Sequence, residues 1–160
     1  MTHPKKEIVL ERIAGTRQEL FNLLQTLDDA DWQTQVYADG DQWSVLDLLR
    51  HMTSAEKSMV LLMENIRRGG EGASAGFDLN RWNASQVRKQ QEKTPAGLMA
   101  EMEANRQELL TFIESLSAED WEKQGRHGAG QIMSIYEIVK IIGLHEKTHM
   151  QDIRAAVGMA

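Results

Sequence analysis

The chain has 160 residues, 41% hydrophobic and 26% charged, which at roughly 100–200 residues per domain describes one domain with a sizeable core. Its 18 basic against 24 acidic side chains give a net charge of -6, excluding the positive stripe that nucleic-acid phosphates require. No cysteine is present, which excludes a disulfide scaffold, a Cys-ligated zinc or iron–sulfur site and a thiol nucleophile.

The first residues, Met1-Thr-His-Pro-Lys-Lys-Glu-Ile8, carry no apolar signal region. No apolar run approaches the ~20 residues of a membrane span. A cytoplasmic protein without a membrane or nucleic-acid partner is therefore expected. Only two prolines and nine aromatic residues beside nine methionines favour helix over sheet.

Four helical segments follow from periodicity. The first runs from about Pro4 to Leu27, with Val9, Ile13, Leu20, Leu23, Leu24 and Leu27 on one face. Asp28-Asp29-Ala-Asp31 breaks it, and Val36 to Gln42 reads as an irregular connection. The second opens at Ser44, where Ser44-Val-Leu-Asp47 is a capping-box pattern, and continues through Leu48, Met52, Ala55, Met59, Leu62 and Ile66. Arg67-Arg68 and Gly69-Gly70 end it, and Gly69 to Gly76 reads as a mobile linker rather than a phosphate loop. The third spans about Leu79 to Ser115 with an interruption at Thr94-Pro95. The fourth begins at a second capping box, Ser134-Ile-Tyr-Glu137, and carries Ile135, Ile138, Ile142, His145, His149 and Ala156.

An internal echo relates these segments. Arg17-Gln-Glu-Leu20 recurs as Arg106-Gln-Glu-Leu109, and at the same offset Leu27, Asp31 and Trp32 match Leu116, Asp120 and Trp121. The expected architecture is all-α: one four-helix bundle over residues 1–160, built from two related helix–loop–helix halves.

His145 and His149 lie one helical turn apart, so both rings project from one face at positions the apolar pattern otherwise gives to Ile and Ala. Two buried imidazoles need partners, and a shared transition metal supplies one. His51 sits at the edge of the apolar stripe of the second helix, which occupies the equivalent place in the other half. Three histidines from two helices, with coordination positions left open, form a catalytic type of metal site. His145-Glu-Lys-Thr-His149 also matches H-E-x-x-H, with Glu146 as the general base of a zinc protease. Neither downstream form of that signature continues here, so Glu146 reads instead as a helix-surface carboxylate, with a place behind the ligands still open to it.

Trp43-Ser-Val-Leu-Asp-Leu-Leu-Arg-His51 followed by Glu56, together with His145-x-x-x-His149, resembles the two helix motifs of the DinB/YfiT-like superfamily. The resemblance implies a four-helix bundle, often a homodimer, in which His51, His145 and His149 hold a divalent metal, zinc or nickel. Characterised relatives include S-transferases using bacillithiol, mycothiol or glutathione and a mycothiol-dependent isomerase, in which the metal presents a thiolate to an electrophile. Many members have Gly-Gln-Ile just after the last histidine, where this chain has Gln151-Asp152-Ile153.

The resulting expectation is a metal-dependent thiol S-transferase acting on a small-molecule thiol and an electrophile, with Glu56 and Glu146 as weak candidates for a catalytic base. The alternatives are a non-enzymatic helical dimer or partner-binding module with a structural metal, and a metal-water hydrolase. Arg50 and Arg154 read as surface charge, the four tryptophans as core or loop anchors, His3 as a terminal residue, and His127 as part of a Gly-rich segment that is not expected to fold over the metal.

Overall fold

Helix boundaries follow the caps that the sequence supplies. In the computed structural model, which describes residues 3–159, α1 spans Lys6–Leu24, α2 Asp29–Gln33, α3 Val45–Arg67, α4 Leu79–Lys89, α5 Pro95–Glu114 and α6 Ile135–Ala156. Ser44 and Ser134 cap α3 and α6 in reciprocal boxes with Asp47 and Glu137. Asp78 caps α4, and Thr94 caps α5 with Pro95 in its first turn. The first helix stops at Leu24 rather than Leu27, because Asp28 turns extended and forms a further capping box with Asp31 to open α2.

A short antiparallel hairpin, β1 (Gln124–Arg126) and β2 (Ile132–Ser134), precedes α6, and a single 3-10 turn at Asp120–Glu122 leads into it. Strands this short are too brief to show a period-2 pattern. The first half holds the counterpart, a bridge between Gln35 and Ser44 just before α3. The stretch expected to be a mobile linker is instead stitched to the hairpin. Arg126 N–H donates to the Glu71 carbonyl and Ala73 N–H to the Arg126 carbonyl, both at 2.8 Å. Gly72 lies between them with φ +83°, where a Cβ would sit 2.5 Å from the Arg126 carbonyl oxygen, so only glycine fits.

The four long helices α1, α3, α5 and α6 form the expected bundle, with α1 against α6, α6 against α3 and α3 against α5, while α4 packs on α3. Among the described residues no helix is long and apolar enough to cross a membrane. The core has two apolar compartments. One contains Ile13, Leu109, Ile113, Trp121, Ile135 and Ile138; the other contains Leu20, Leu24, Trp32, Val45, Leu48 and Met102. The echoed positions fall in opposite compartments: Leu20 and Leu109, Trp32 and Trp121, Ile13 and Met102 are each 89 residues apart. The two halves are thus related by an approximate twofold.

A charged layer lies between the compartments. Arg17 and Arg106, the first residues of the echoed tetrapeptide, are buried with Glu56 of α3 and Glu146 of α6. Arg106 donates to Glu56 Oε1 at 2.7 Å and to Glu146 Oε1 at 3.1 Å. Arg17 donates to Glu56 Oε2 at 2.6 Å and through Nε to Glu146 Oε1 at 2.9 Å. Each guanidinium also crosses to the backbone of the other half: Arg17 to the Met102 carbonyl and Arg106 to the Ile13 carbonyl, both at 3.0 Å. Buried charges persist only when paired and hydrogen-bonded, and here nearly every donor has an acceptor.

This layer corrects two expectations. Glu146 is not a surface carboxylate; it is 3% exposed and Glu56 is 4% exposed. Burial pushes the Glu146 carboxyl up, against the pull of Arg17 and Arg106. Arg50 is not surface charge either. It is buried and clamps the end of α4 onto α3, donating to the Gln90 and Gln91 carbonyls at 3.1 and 2.9 Å and to Asp47 at 2.8 Å. Arg154 lies half-buried in a separate cleft with Glu19. His3, expected to be an ordinary terminal residue, stacks on Tyr136 at 4.5 Å between ring centroids.

Candidate metal centre

Helical geometry sends neighbouring residues of α6 to different faces. Glu146 is about 100° around the helix from His145, so the carboxylate enters the charged layer while His145 and His149 turn toward α3. There they meet His51. The His51 and His145 Nε2 atoms are 2.9 Å apart, and His145 and His149 Nε2 are 3.0 Å apart. All three rings offer a nitrogen within 4.8 Å of the others.

The donor set fits a metal better than it fits hydrogen bonds. A ring nitrogen carries either one proton or one lone pair, so His145 Nε2 can satisfy only one of its two close nitrogen neighbours by hydrogen bonding. A single cation bonded to imidazole nitrogens at about 2.0–2.1 Å satisfies all three at once. Neutral imidazoles are what such an ion needs, and burial supplies them. Desolvation, reinforced by the neighbouring rings, holds His51 down to about 3 and His145 down to about 2. His149 is also lowered by burial, with Asp152 opposing.

Residues behind the cluster orient it. Tyr37 Oη lies 3.0 Å from His149 Nδ1 and donates to Asp152 Oδ2 at 2.6 Å. Asp152 Oδ2 itself is 3.3 Å from His149 Nδ1. This arrangement keeps the proton of His149 on Nδ1 and turns the Nε2 lone pair toward the other rings. Burial and the hydrogen bond to Asp152 push the Tyr37 hydroxyl up, so it stays protonated as the donor. His51 Nδ1 makes no hydrogen bond among the described residues, and its ring is held by packing on Trp43 at 5.1 Å between centroids.

Neither carboxylate candidate reaches these nitrogens as a free base, because Glu56 and Glu146 are both tied to Arg17 and Arg106. Sequence reasoning did not single out Tyr37 and Asp152. An acid three residues after His149 was an available signal, since i and i+3 share a helix face; Tyr37, inside an irregular connection, gave none.

His51 and His145 form one end of a cavity of about 460 Å³ between α3, α4, α6 and the β1–β2 hairpin. Trp82, expected to be an anchor, lines this cavity and is 40% exposed, whereas Trp32 and Trp121 are buried in the core as expected. His127 lines the same cavity without joining the three nitrogens.

The DinB superfamily model matches residues 12–153. The uncharacterized protein YuaE from Bacillus subtilis (strain 168) is 23% identical over 151 residues, covering 86% of this chain and 90% of that one. A mycothiol-dependent maleylpyruvate isomerase has a similar structure, with a TM-score of 0.78 at 16% identity. That match covers 96% of this chain, which spans only 63% of the isomerase. YfiT from Bacillus subtilis, described as a probable metal-dependent hydrolase with an unusual four-helix bundle topology, has a TM-score of 0.78 at 13% identity. It is covered over 91% of its length and covers 100% of this chain. The chain belongs to the DinB superfamily.

Proposed function

We propose that this member of the DinB superfamily is a metal-dependent enzyme that transfers a low-molecular-weight thiol, such as bacillithiol, mycothiol or glutathione, to a small electrophile. The observation that carries the reading is the meeting of His51, His145 and His149 nitrogens at one end of a cavity of substrate size. A divalent ion held by these three nitrogens, zinc or nickel, would supply the Lewis acidity that lowers a thiol pKa.

The chain's own residues bind and orient. Tyr37 and Asp152 fix the His149 tautomer, Trp43 holds the His51 ring, and the mostly apolar cavity wall offers the substrate a surface beside them. In the transfer, the thiol first loses its proton to solvent; the sulfur–carbon bond then forms as the carbon–leaving-group bond breaks, and the leaving group departs with that electron pair and takes up a proton from solvent. Among the described residues no carboxylate lines the cavity. This absence favours a nucleophile that ionises without a general base over the carboxylate-assisted hydrolysis of H-E-x-x-H enzymes.

Protein purified without a His tag, loaded with zinc, nickel or cobalt, tests this. Each thiol added to the cobalt form is expected to produce a sulfur-to-cobalt charge-transfer band, which no cysteine of this chain can supply. The same thiol should then be consumed with an electrophile in a metal-dependent reaction. Turnover without thiol would favour the hydrolase. No turnover, with a large stability loss on chelation, would favour a structural ion in a helical dimer.

A further inference from the structure

Among the described residues no Asp, Glu, Lys or Arg side chain lines the cavity beside the histidines. The approximate twofold explains its floor. Ninety residues separate His51 from Ile141, Ala55 from His145 and Met59 from His149, the same offset that relates Ser44 to Ser134 and Glu56 to Glu146. Ala55, Met59 and Ile141, which line the cavity, therefore occupy the places that the three histidines occupy in the other half. One half-site converges nitrogens, and its counterpart offers only carbon and sulfur.

Above this floor, Phe77 and Trp82 form an aromatic pair at 5.9 Å between centroids. The polar contribution comes from the hairpin. His127 Nδ1 accepts the Ala129 N–H at 3.1 Å, so the ring proton sits on Nε2, the donor that the ring has left to offer. The Gly72–Arg126 stitching fixes this hairpin against the chain that leads into α4.

We infer that the cavity takes an uncharged, largely apolar substrate whose body lies on Ala55, Met59 and Ile141 beneath Phe77 and Trp82, with a carbonyl-type oxygen accepting from His127 Nε2. An anionic group in this lining would lose its hydration without meeting a side-chain cation, and an apolar body would lose nothing comparable. The inference rests on the reading above only for which end reacts: the end facing His51 and His145.

A matched pair of unreactive probes tests it: N-phenylsuccinimide, neutral with carbonyl acceptors, and its para-carboxylate. Both are titrated into 15N-labelled metal-free and zinc-loaded protein, with the amides of Gly128 and Ala129 as reporters. The neutral probe is expected to bind at least about tenfold more tightly in the metal-free form, where no ion offers the carboxylate a ligand position. His127→Phe, which keeps the ring but removes the donor, should weaken the neutral probe severalfold. Asn83→Arg, which adds a cation to the wall, should tighten the carboxylate probe. Equal or tighter carboxylate binding in the metal-free unmodified protein would overturn the inference, as would no binding by either probe. Unchanged affinity in His127→Phe would remove His127 from it. Neutral preference in a protein that takes up no zinc would support this inference while defeating the metal reading.

Discussion

Helices α3 and α6 each contribute to two buried polar clusters, and the two clusters are completed in opposite ways. On one side, Glu56 and Glu146 meet Arg17 and Arg106, with each half supplying one acid and one base and each arginine reaching a carbonyl of the other half. On the other side, one half supplies His51 and the other His145 and His149, and three nitrogens face each other with too few protons to share. The charged layer draws equally on both halves, and all its charges are paired, with Glu146 Oε2 the one buried oxygen of its carboxylates left without a partner among the described residues. The histidine cluster departs from the symmetry of the fold, and its three nitrogens are placed where a single cation could be shared among them.

Removing one charge from the layer should show the largest effect. Arg106→Met leaves buried carboxylates short of a partner and should cost about 3–5 kcal/mol in urea unfolding. His145→Ala in metal-free protein should cost about 1 kcal/mol. Equal losses would erase the distinction between the clusters.

The pH dependence of the metal-free protein should come next. His51 and His145 are held neutral by burial, at about 3 and about 2, while histidines of the unfolded chain titrate near their ordinary 6.5. Below that pH the unfolded state binds more protons, so stability falls as pH drops from about 6.5 toward 5. The slope should reach at most about 2.7 kcal/mol per pH unit for two protons. Urea midpoints across this window should show that fall, and a His51→Leu, His145→Leu double variant should reduce it, leaving the part due to His149 and His127, which burial also lowers. A midpoint that rises on acidification would contradict the buried neutral state.

Asp152→Asn and Tyr37→Phe should leave the fold intact and weaken zinc binding by about 10–100-fold, measured by competition with a chelator. Unchanged affinity would show that the ring of His149 needs no partner behind it. The smallest effects sharpen the symmetry itself. Ser44→Ala and Ser134→Ala should each cost about 1 kcal/mol, alike because they remove the same box from equivalent helices.

The helices and the three histidines were legible because both write themselves into spacing: caps at Ser44 and Ser134, apolar steps of three and four, and His145-x-x-x-His149. The Arg17 and Arg106 echo was visible, but its meaning was not. A charged residue in a single sequence reads as solvated, and only packing shows that Glu56 and Glu146 wait for it on the neighbouring helices. Arg50 was misread for the same reason, since its partners Gln90 and Gln91 lie about 40 residues away. Tyr37 and His127 come from hairpin loops whose strands are too short to announce themselves, so their arrival at the site depends on tertiary docking alone.

Metal content of tag-free protein, wild type beside His149→Ala, tests the reading of the histidine cluster most directly. Near one divalent ion per chain, lost in the variant while helicity is kept, is the predicted result. No ion bound after reconstitution with zinc or nickel, or an ion retained with undiminished affinity by His149→Ala, would contradict it.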